Sequence, residues 1–401
     1  MFNATVQKEH LETVLKLLSS TVGDNSQGFN DDCISIVPSA NLNTLVLCTT
    51  DTINFTKCEV LCGLCQTPDP APLVNFKRFE KIISSIPNGE MITLKETKQN
   101  VLTVSYKLNS GVSLTGIGGT FNTLIPNFSN TNVSIGTQFL KESVTEANSI
   151  IQNDGKPSLY NCVSIKTSNL LDIEVVGIDT KSNRAYINTI KSSTSNPDSE
   201  FIIDAQALKS VIGLFDGYSE VLLCKNSNDT MIKITPDTST LIPDLSSDHI
   251  TNFVTSIEYY RRIIVGTFSP IISKKFAMGV LQNTSVNIKE LQGSLKRVLA
   301  LEDGNSGHQY VGLTANDKIN ITYTSTYGEI SESLISGNPL ANQTGGKYPT
   351  KALLELLSTN TEESIMFGEL NGSPGVLIFS NSDKAKNGQF MITPAVQNNN
   401  P

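Results

Sequence analysis

The chain has 401 residues, of which 38% are hydrophobic and 17% charged, with 30 basic against 38 acidic side chains and a net charge of −8. That length holds about three domains of ordinary size, and the composition is that of a globular chain. The balance excludes a uniformly basic grip on nucleic acid, and the lack of any apolar run of about 18 residues excludes a transmembrane helix, while a basic patch on one lining stays compatible with an acidic whole.

The first ten residues carry neither a basic n-region nor an apolar h-region, so no secretory leader is read and a cytoplasmic location is expected. Residues 10–20 then place Leu11, Val14, Leu15 and Leu18 on one helical face. Strand-like segments follow at 33–37 and 45–49, with Asp31-Asp32 ahead of them read as a turn rather than a cation site. Three of the seven cysteines form Cys58-x3-Cys62-x2-Cys65, a spacing shared with the iron–sulfur motif of radical SAM enzymes. A cluster needs three thiolates converging from a loop. Here Ile53-Asn54-Phe55-Thr56 alternates as a strand just ahead, and no Gly-rich cofactor segment follows. The three are expected to be small buried hydrophobes, and the odd total argues against a disulfide framework. No metal and no cofactor is expected.

A second amphipathic helix, 76–86, carries Phe79, Ile82, Ile83 and Ile86, and ends in the turn Pro87-Asn88-Gly89 before a strand at 91–94. Helix 139–152 presents Leu140, Val144 and Ala147, and is followed by strands at 162–166 and 171–176. Helix 205–215 presents Leu208, Val211, Ile212 and Phe215, then an Asp216-Gly217 turn and a strand at 220–224. The last third has helix 288–301, with Leu291, Leu295, Val298 and Leu299, strands at 310–314 and 319–322, helix 350–357, a polar turn and a strand at 364–367.

These elements repeat. Thr123-Leu124-Ile125-Pro126-Asn127-Phe128-Ser129 recurs 117 residues later as Thr240-Leu241-Ile242-Pro243-Asp244-Leu245-Ser246, each time after a helix, a turn and a strand. The order helix, strands, helix, strands appears three times. The expectation is an α+β chain of three modules, 1–132, 133–265 and 266–401, each with two helices on a β-sheet, and an insertion near 246–258.

Three such units resemble the β sliding clamp family of bacterial DNA polymerase III. The likeness rests on Val74-Asn75-Phe76-Lys77-Arg78-Phe79 with Ile86-Pro87-Asn88-Gly89, on Lys156-Pro157-Ser158-Leu159-Tyr160-Asn161, and on Val176-Gly177-Ile178-Asp179 with Asn183-Arg184-Ala185. Tyr260-Arg261-Arg262-Ile263-Ile264 is the most specific match, and Phe390-Met391-Ile392-Thr393-Pro394 is similar to the family's ending. The chain departs from the family in two extra residues between Asp179 and Arg184, in Thr393, and in residues beyond Pro394. Such divergence in an acidic, Asn/Ser/Thr-rich chain suggests a phage-encoded member, whose location would be the host cytoplasm.

The resemblance implies a non-enzymatic processivity factor: a head-to-tail homodimeric ring, each chain forming half, that surrounds double-stranded DNA without reading sequence. Its lining would carry Lys16, Lys77, Arg78, Lys81, Lys141, Lys209, Lys296, Arg297 and Lys351, with Lys8 beside the first helix. A polymerase and a clamp loader would insert a short peptide into a pocket built from Leu159, Ile178, Asp179, Arg184, Arg262, Ile263, Met391, Ile392, Thr393 and Pro394. The dimer interface would use Val112 and Leu114 against Ala300 and Leu301. Alternatives are a clamp-like scaffold for transcription or regulatory proteins, and a β-rich adhesion protein, against which the repeated amphipathic helices argue. An enzyme is not expected: His10, His249 and His308 lie far apart, no P-loop or Gly-x-Ser-x-Gly elbow occurs, and Gly116-x-Gly118-Gly119 precedes no helix.

Overall fold

A computed structural model describes residues 1–24, 30–40, 42–107, 110–121, 128, 132–151, 161–168, 172–179, 184–192, 196–240, 250–262, 280–301, 310–337, 344–358, 364–370, 373–380 and 389–392. Among the described residues six α-helices are seen: α1 (Lys8–Leu18), α2 (Phe76–Ser85), α3 (Thr137–Ile150), α4 (Ala205–Ile212), α5 (Ile288–Ala300) and α6 (Thr350–Ser358). Each stands where apolar periodicity places it, with ends shifted by a few residues. The helix expected over 205–215 stops as an α-helix at Ile212 and continues as a tighter 3-10 turn, Gly213–Phe215, because glycine is a poor helix interior.

Each helix begins where a strand stops, with no intervening residue. The launching strands are β1 (Asn3–Gln7), β6 (Val74–Asn75), β10 (Val133–Gly136), β14 (Ser199–Asp204), β18 (Val280–Asn287) and β22 (Thr344–Pro349). At three of these junctions the last strand residue caps the helix. Asn75 accepts the Arg78 amide at 3.1 Å, Asp204 accepts the Ala207 amide at 2.9 Å, and Asn287 accepts the Glu290 amide at 3.1 Å. Such a cap stabilises the helix by about 1 kcal/mol. Helix α2 then buries Phe76, Phe79 and Ile83 on one face, each side chain contributing roughly 1.5–3 kcal/mol.

The chain divides into two compact units, Met1–Gln138 with Ser210–Ile263, and Phe139–Lys209 with Ile264–Pro401. The middle third is thus shared between them, unlike the sequential boundaries at 132 and 265. The reason lies in the sheets. In the first unit, β15 (Glu220–Lys225), β16 (Met231–Pro236) and β17 (Val254–Arg262) join β10 to β4 (Asn54–Leu61), β3 (Thr44–Thr50) and β2 (Cys33–Pro38), giving an eight-stranded sheet in the order β10-β15-β16-β17-β4-β3-β2-β6. The same unit holds a five-stranded sheet, β5-β1-β7-β8-β9, from β5 (Leu64–Cys65), β7 (Met91–Lys98), β8 (Val101–Lys107) and β9 (Ser110–Thr115).

The second unit repeats the plan. Its eight-stranded sheet runs β14-β11-β12-β13-β25-β24-β23-β18, with β11 (Cys162–Thr167), β12 (Asp172–Asp179), β13 (Arg184–Lys191), β23 (Ser364–Leu370), β24 (Ser373–Ser380) and β25 (Gln389–Ile392). Its smaller sheet is β21-β20-β19-β22, with β19 (Tyr310–Ala315), β20 (Lys318–Ser325) and β21 (Gly328–Ile335). Every ladder among the described strands is antiparallel, so the α+β class stands.

Residues 254–258, the later part of the supposed insertion, are the start of β17, paired with β4 through one bulge near Ser256. Val254, Ile257 and Tyr259 bury their side chains there, which makes the segment a working strand. Residues 241–249 lie outside the described residues, as does nearly all of both Leu-Ile-Pro copies.

In the first unit, α1 lies against β4 and α2. Phe55 and Tyr260 meet edge to face at 5.7 Å, and Phe128 meets Tyr260 at 5.3 Å, within an apolar cluster that includes Cys33, Val46, Cys48, Leu73 and Phe121. In the second, α5 lies against α6, β18 and β21.

Candidate nucleic-acid interface and partner surfaces

The basic residues expected to meet DNA fall on six helices but in different states. On α2, Lys77, Arg78 and Lys81 are exposed, and no ion pair involving them exists among the described residues. Their spacing of three and four puts them on one face, opposite Phe76, Phe79 and Ile83. On α1, Lys16 is 71% exposed, with a Glu12 oxygen at 3.9 Å. Lys8 is withdrawn: it is buried and donates to Glu12 and Asn88, each at 2.6 Å. Lys141 on α3, Lys209 on α4, Lys296 on α5 and Lys351 on α6 are exposed.

Arg297, also on α5, is engaged. Its Nε donates to one Glu332 oxygen and its terminal nitrogen to the other, both at 2.7 Å, and Ser294 donates to the same carboxylate. The guanidinium, and then the serine hydroxyl, hold the Glu332 carboxyl far below its ordinary range, at about 2. Two parallel charge-assisted bonds fix Arg297 to β21, while the side chain stays 58% exposed.

The peptide-pocket residues split three ways. Asp179 pairs with Arg184 across the β12–β13 ladder, and Ile178 pairs with Ala185 beside them. Strand β25 pairs on the other side of β13, setting Ile392 opposite Arg184 and Met391 opposite Ala185. Arg262 is exposed at the end of β17 in the first unit. Leu159, Ile263, Thr393 and Pro394 lie outside the described residues.

Arg184 is buried. It is only 3% exposed and donates to Asp179 at 3.2 Å, Glu355 at 3.1 Å, the Ile150 carbonyl at 3.1 Å and the Ala352 carbonyl at 3.5 Å. One buried cation thereby ties the β12–β13 hairpin to the ends of α3 and α6. The Tyr-Arg-Arg segment behaves similarly in the first unit. Tyr259 and Arg261 both donate to the Asn54 side-chain oxygen, at 2.6 and 2.8 Å, and Tyr260 donates to Glu258 at 2.9 Å.

Val112 is exposed and Leu114 half-buried on β9, the last strand of its sheet. Ala300 is exposed and Leu301 half-buried at the end of α5. Sequence reasoning missed β21, the other terminal strand, where Ile335 is 81% exposed and Tyr327 stands just ahead at 66%. The signal was there in the alternation of Glu329-Ile330-Ser331-Glu332-Ser333-Leu334 after a Tyr-Gly turn.

Cys58 is fully buried on β4, while the sulfurs of Cys62 and Cys65 lie 3.8 Å apart. No group of three His, Cys, Asp or Glu side chains among the described residues is arranged to hold a metal ion. No helix among them is long and apolar enough to cross a membrane. Asp31-Asp32 closes a turn in which the Cys33 amide donates to the Asn30 carbonyl, and Asp32 accepts from Asn75 at 2.7 Å.

No protein-family model and no curated protein matches this sequence. Solved structures do. The beta subunit from the DNA polymerase of Streptococcus pyogenes is 16% identical, with 98% of this chain and 99% of that one superposed at a TM-score of 0.78. A DNA polymerase sliding clamp from Pseudomonas aeruginosa is 15% identical over the same shares, with a TM-score of 0.77. A putative DNA polymerase III beta subunit from Eubacterium rectale is 14% identical, again over the same shares, with a TM-score of 0.74. The chain therefore has the fold of these beta subunits over nearly its whole length.

Proposed function

We propose that this chain is a DNA sliding clamp, a non-enzymatic processivity factor of which two copies close head-to-tail around duplex DNA and tether the replicative polymerase. The observation that carries this reading is the extent of the likeness: 98% of the chain superposes on 99% of a sliding clamp. In this reading the chain is three modules, 1–132, 133–265 and 266–401, each contributing two strand-launched helices.

The sheet ends support closure into a ring. Both eight-stranded sheets have a helix-launching strand at each end: β10 and β6 in one, β14 and β18 in the other. The five-stranded sheet has β1 near one end and stops at β9, and the four-stranded sheet has β22 at one end and stops at β21. Joining β9 of one copy to β21 of the next would give β1-β7-β8-β9-β21-β20-β19-β22, an eight-stranded run with a helix-launching strand at each end. The main-chain groups of two open edges would then be satisfied, and Val112 and Ile335 covered. A head-to-tail contact made twice closes when the rotation fits.

The exposed face of Lys77, Arg78 and Lys81, with Lys16, Lys141, Lys209, Lys296 and Lys351, supplies mobile cations suited to phosphates and not to base edges. Partner peptides are assigned to the region of Ile178, Met391 and Ile392, with Arg184 as the support beneath. The decisive experiment is topological. Loaded on nicked circular DNA, the protein should stay bound through gel filtration and fall off when the circle is linearised; retention indifferent to linearisation overturns the reading. Reversing Lys77, Arg78 and Lys81 to Glu together should cut retention on the circle at least tenfold, with an unchanged melting curve.

A further inference from the structure

None of the seven cysteines is in a disulfide, and six of them are buried. Cys62 is the partly exposed one, and its sulfur lies 3.8 Å from that of Cys65 in the sequence Cys62-Gly63-Leu64-Cys65. We propose that Cys62 and Cys65 are a reversible oxidation site, which low-molecular-weight disulfides convert to an intramolecular disulfide at a corner joining two sheets of the first unit.

The geometry is already set for it. Cys62 follows β4, which belongs to the eight-stranded sheet, and Cys65 ends β5, which belongs to the five-stranded sheet. The chain between them is held along its length by main-chain bonds. The Leu61 amide donates to Phe253 at 2.8 Å, Cys62 to Asn43 at 2.9 Å, Gly63 to Thr5 at 2.8 Å, Cys65 to Leu42 at 3.2 Å and Gln66 to Asn3 at 3.0 Å. Gly63 lets the chain pass close to β1: a Cβ there would stand 2.8 Å from the Thr5 hydroxyl oxygen and oblige that side chain to shift. The backbone thus holds the two cysteines side by side. Bond formation needs the sulfurs to close to about 2 Å, a movement within reach of side-chain rotation at a half-exposed residue.

The exchange proceeds in two displacements. The Cys62 thiol loses its proton to solvent, and its sulfur attacks one sulfur of a small disulfide such as oxidised glutathione. One glutathione thiolate leaves with the electron pair of the broken bond. Cys65 then loses its proton, attacks the Cys62 sulfur and expels the second thiolate. Both cysteine sulfurs are oxidised, one small disulfide is reduced to two thiols, and the order follows from exposure: Cys62 meets solvent, whereas Cys65 is 2% exposed. Burial raises both thiols, Cys65 to about 12, so the exchange is slow at neutral pH and quickens as pH rises. The site is a slowly set staple, not a fast sensor.

The full chain, reduced and then incubated with oxidised glutathione at about pH 8.5 to populate thiolates, is quenched in acid, alkylated under denaturing conditions and mapped by peptide mass. The expected product has lost two of the seven thiols, both at Cys62 and Cys65, carries no glutathione, and returns from five thiols to seven on reduction with dithiothreitol. In a Cys65→Ser chain glutathione should instead accumulate on Cys62, because the second displacement cannot occur. Stable glutathione on wild-type Cys62, pairing of any other cysteines, or a Cys65→Ser chain left unmodified at Cys62 would each overturn the proposal. The wild-type map decides the matter even if the variant folds poorly.

Discussion

The two eight-stranded sheets and the two smaller ones are built from the same parts and differ at their ends. Each large sheet finishes, on both sides, in a strand that runs directly into a helix. Each small sheet has that arrangement at or next to one end and stops at β9 or β21 on the other. Residue chemistry follows the difference. The hairpin β12–β13, inside a large sheet, is pinned by a buried Arg184–Asp179 pair, whereas the terminal strands expose Val112 and Ile335. A sheet with finished ends can hold charge within its supports; a sheet with an open end leaves main-chain donors and apolar side chains for another chain.

The largest effect should come from breaking the finished kind. Arg184→Ala would remove the buried cation beside Asp179, itself 3% exposed, and the donor that serves the Ile150 and Ala352 carbonyls. Removing one partner of a buried pair costs about 3–5 kcal/mol. Urea unfolding of the variant should show that loss, and a change under about 1 kcal/mol would mean that the knot is not what holds the hairpin.

This knot also marks where sequence reading stops. The helices were legible because burial repeats every three to four residues: Phe79 and Ile83 on α2, Leu291, Leu295 and Val298 on α5, all buried as periodicity requires. Strands β2, β3, β11 and β19 were legible from short apolar runs. The partners of Arg184 are not periodic with it. Asp179 is near in sequence, but Glu355 and the Ile150 carbonyl come from helices far along the chain, so Arg184 reads as a motif residue and its burial is invisible. Arg297 meets the same limit: the sequence shows a cation on a helix but not Glu332, which β21 brings alongside it. Strand β17 was hidden because Tyr260-Arg261-Arg262 attracts attention as a signature, although Tyr259 and Tyr260 are core residues of a strand.

The next effect tests the open ends. Val112→Glu with Ile335→Glu places charge on both terminal strands and should weaken self-association roughly a hundredfold, about 2.7 kcal/mol, with helical content unchanged. Ile190→Glu is the control, since Ile190 is also partly exposed but sits on β13 within a large sheet. Sedimentation velocity should give monomers for the first variant and the wild-type mass for the control. Equal behaviour of the two would erase the distinction between the sheets.

The smallest effect concerns how β21 is held ready. Glu332 fastens this terminal strand to Ser294 and Arg297 of α5, and no ion pair from β9 exists among the described residues. The carboxyl sits at about 2 instead of its ordinary 4.5, so its stabilising contribution is complete above pH 4.5 and disappears as pH falls toward 2. Arg297 is 58% exposed, and solvent screening limits the pair to about 0.2–1 kcal/mol. Glu332→Gln should therefore be less stable than wild type by that amount at neutral pH, and the gap should narrow steadily through the acid range until the two curves meet. Salt should narrow it as well, because half of the pair faces water. A gap that persists at pH 2 would mean that Glu332 acts on β21 through packing and not through its charge, and the open edge would then be held in place without help from α5.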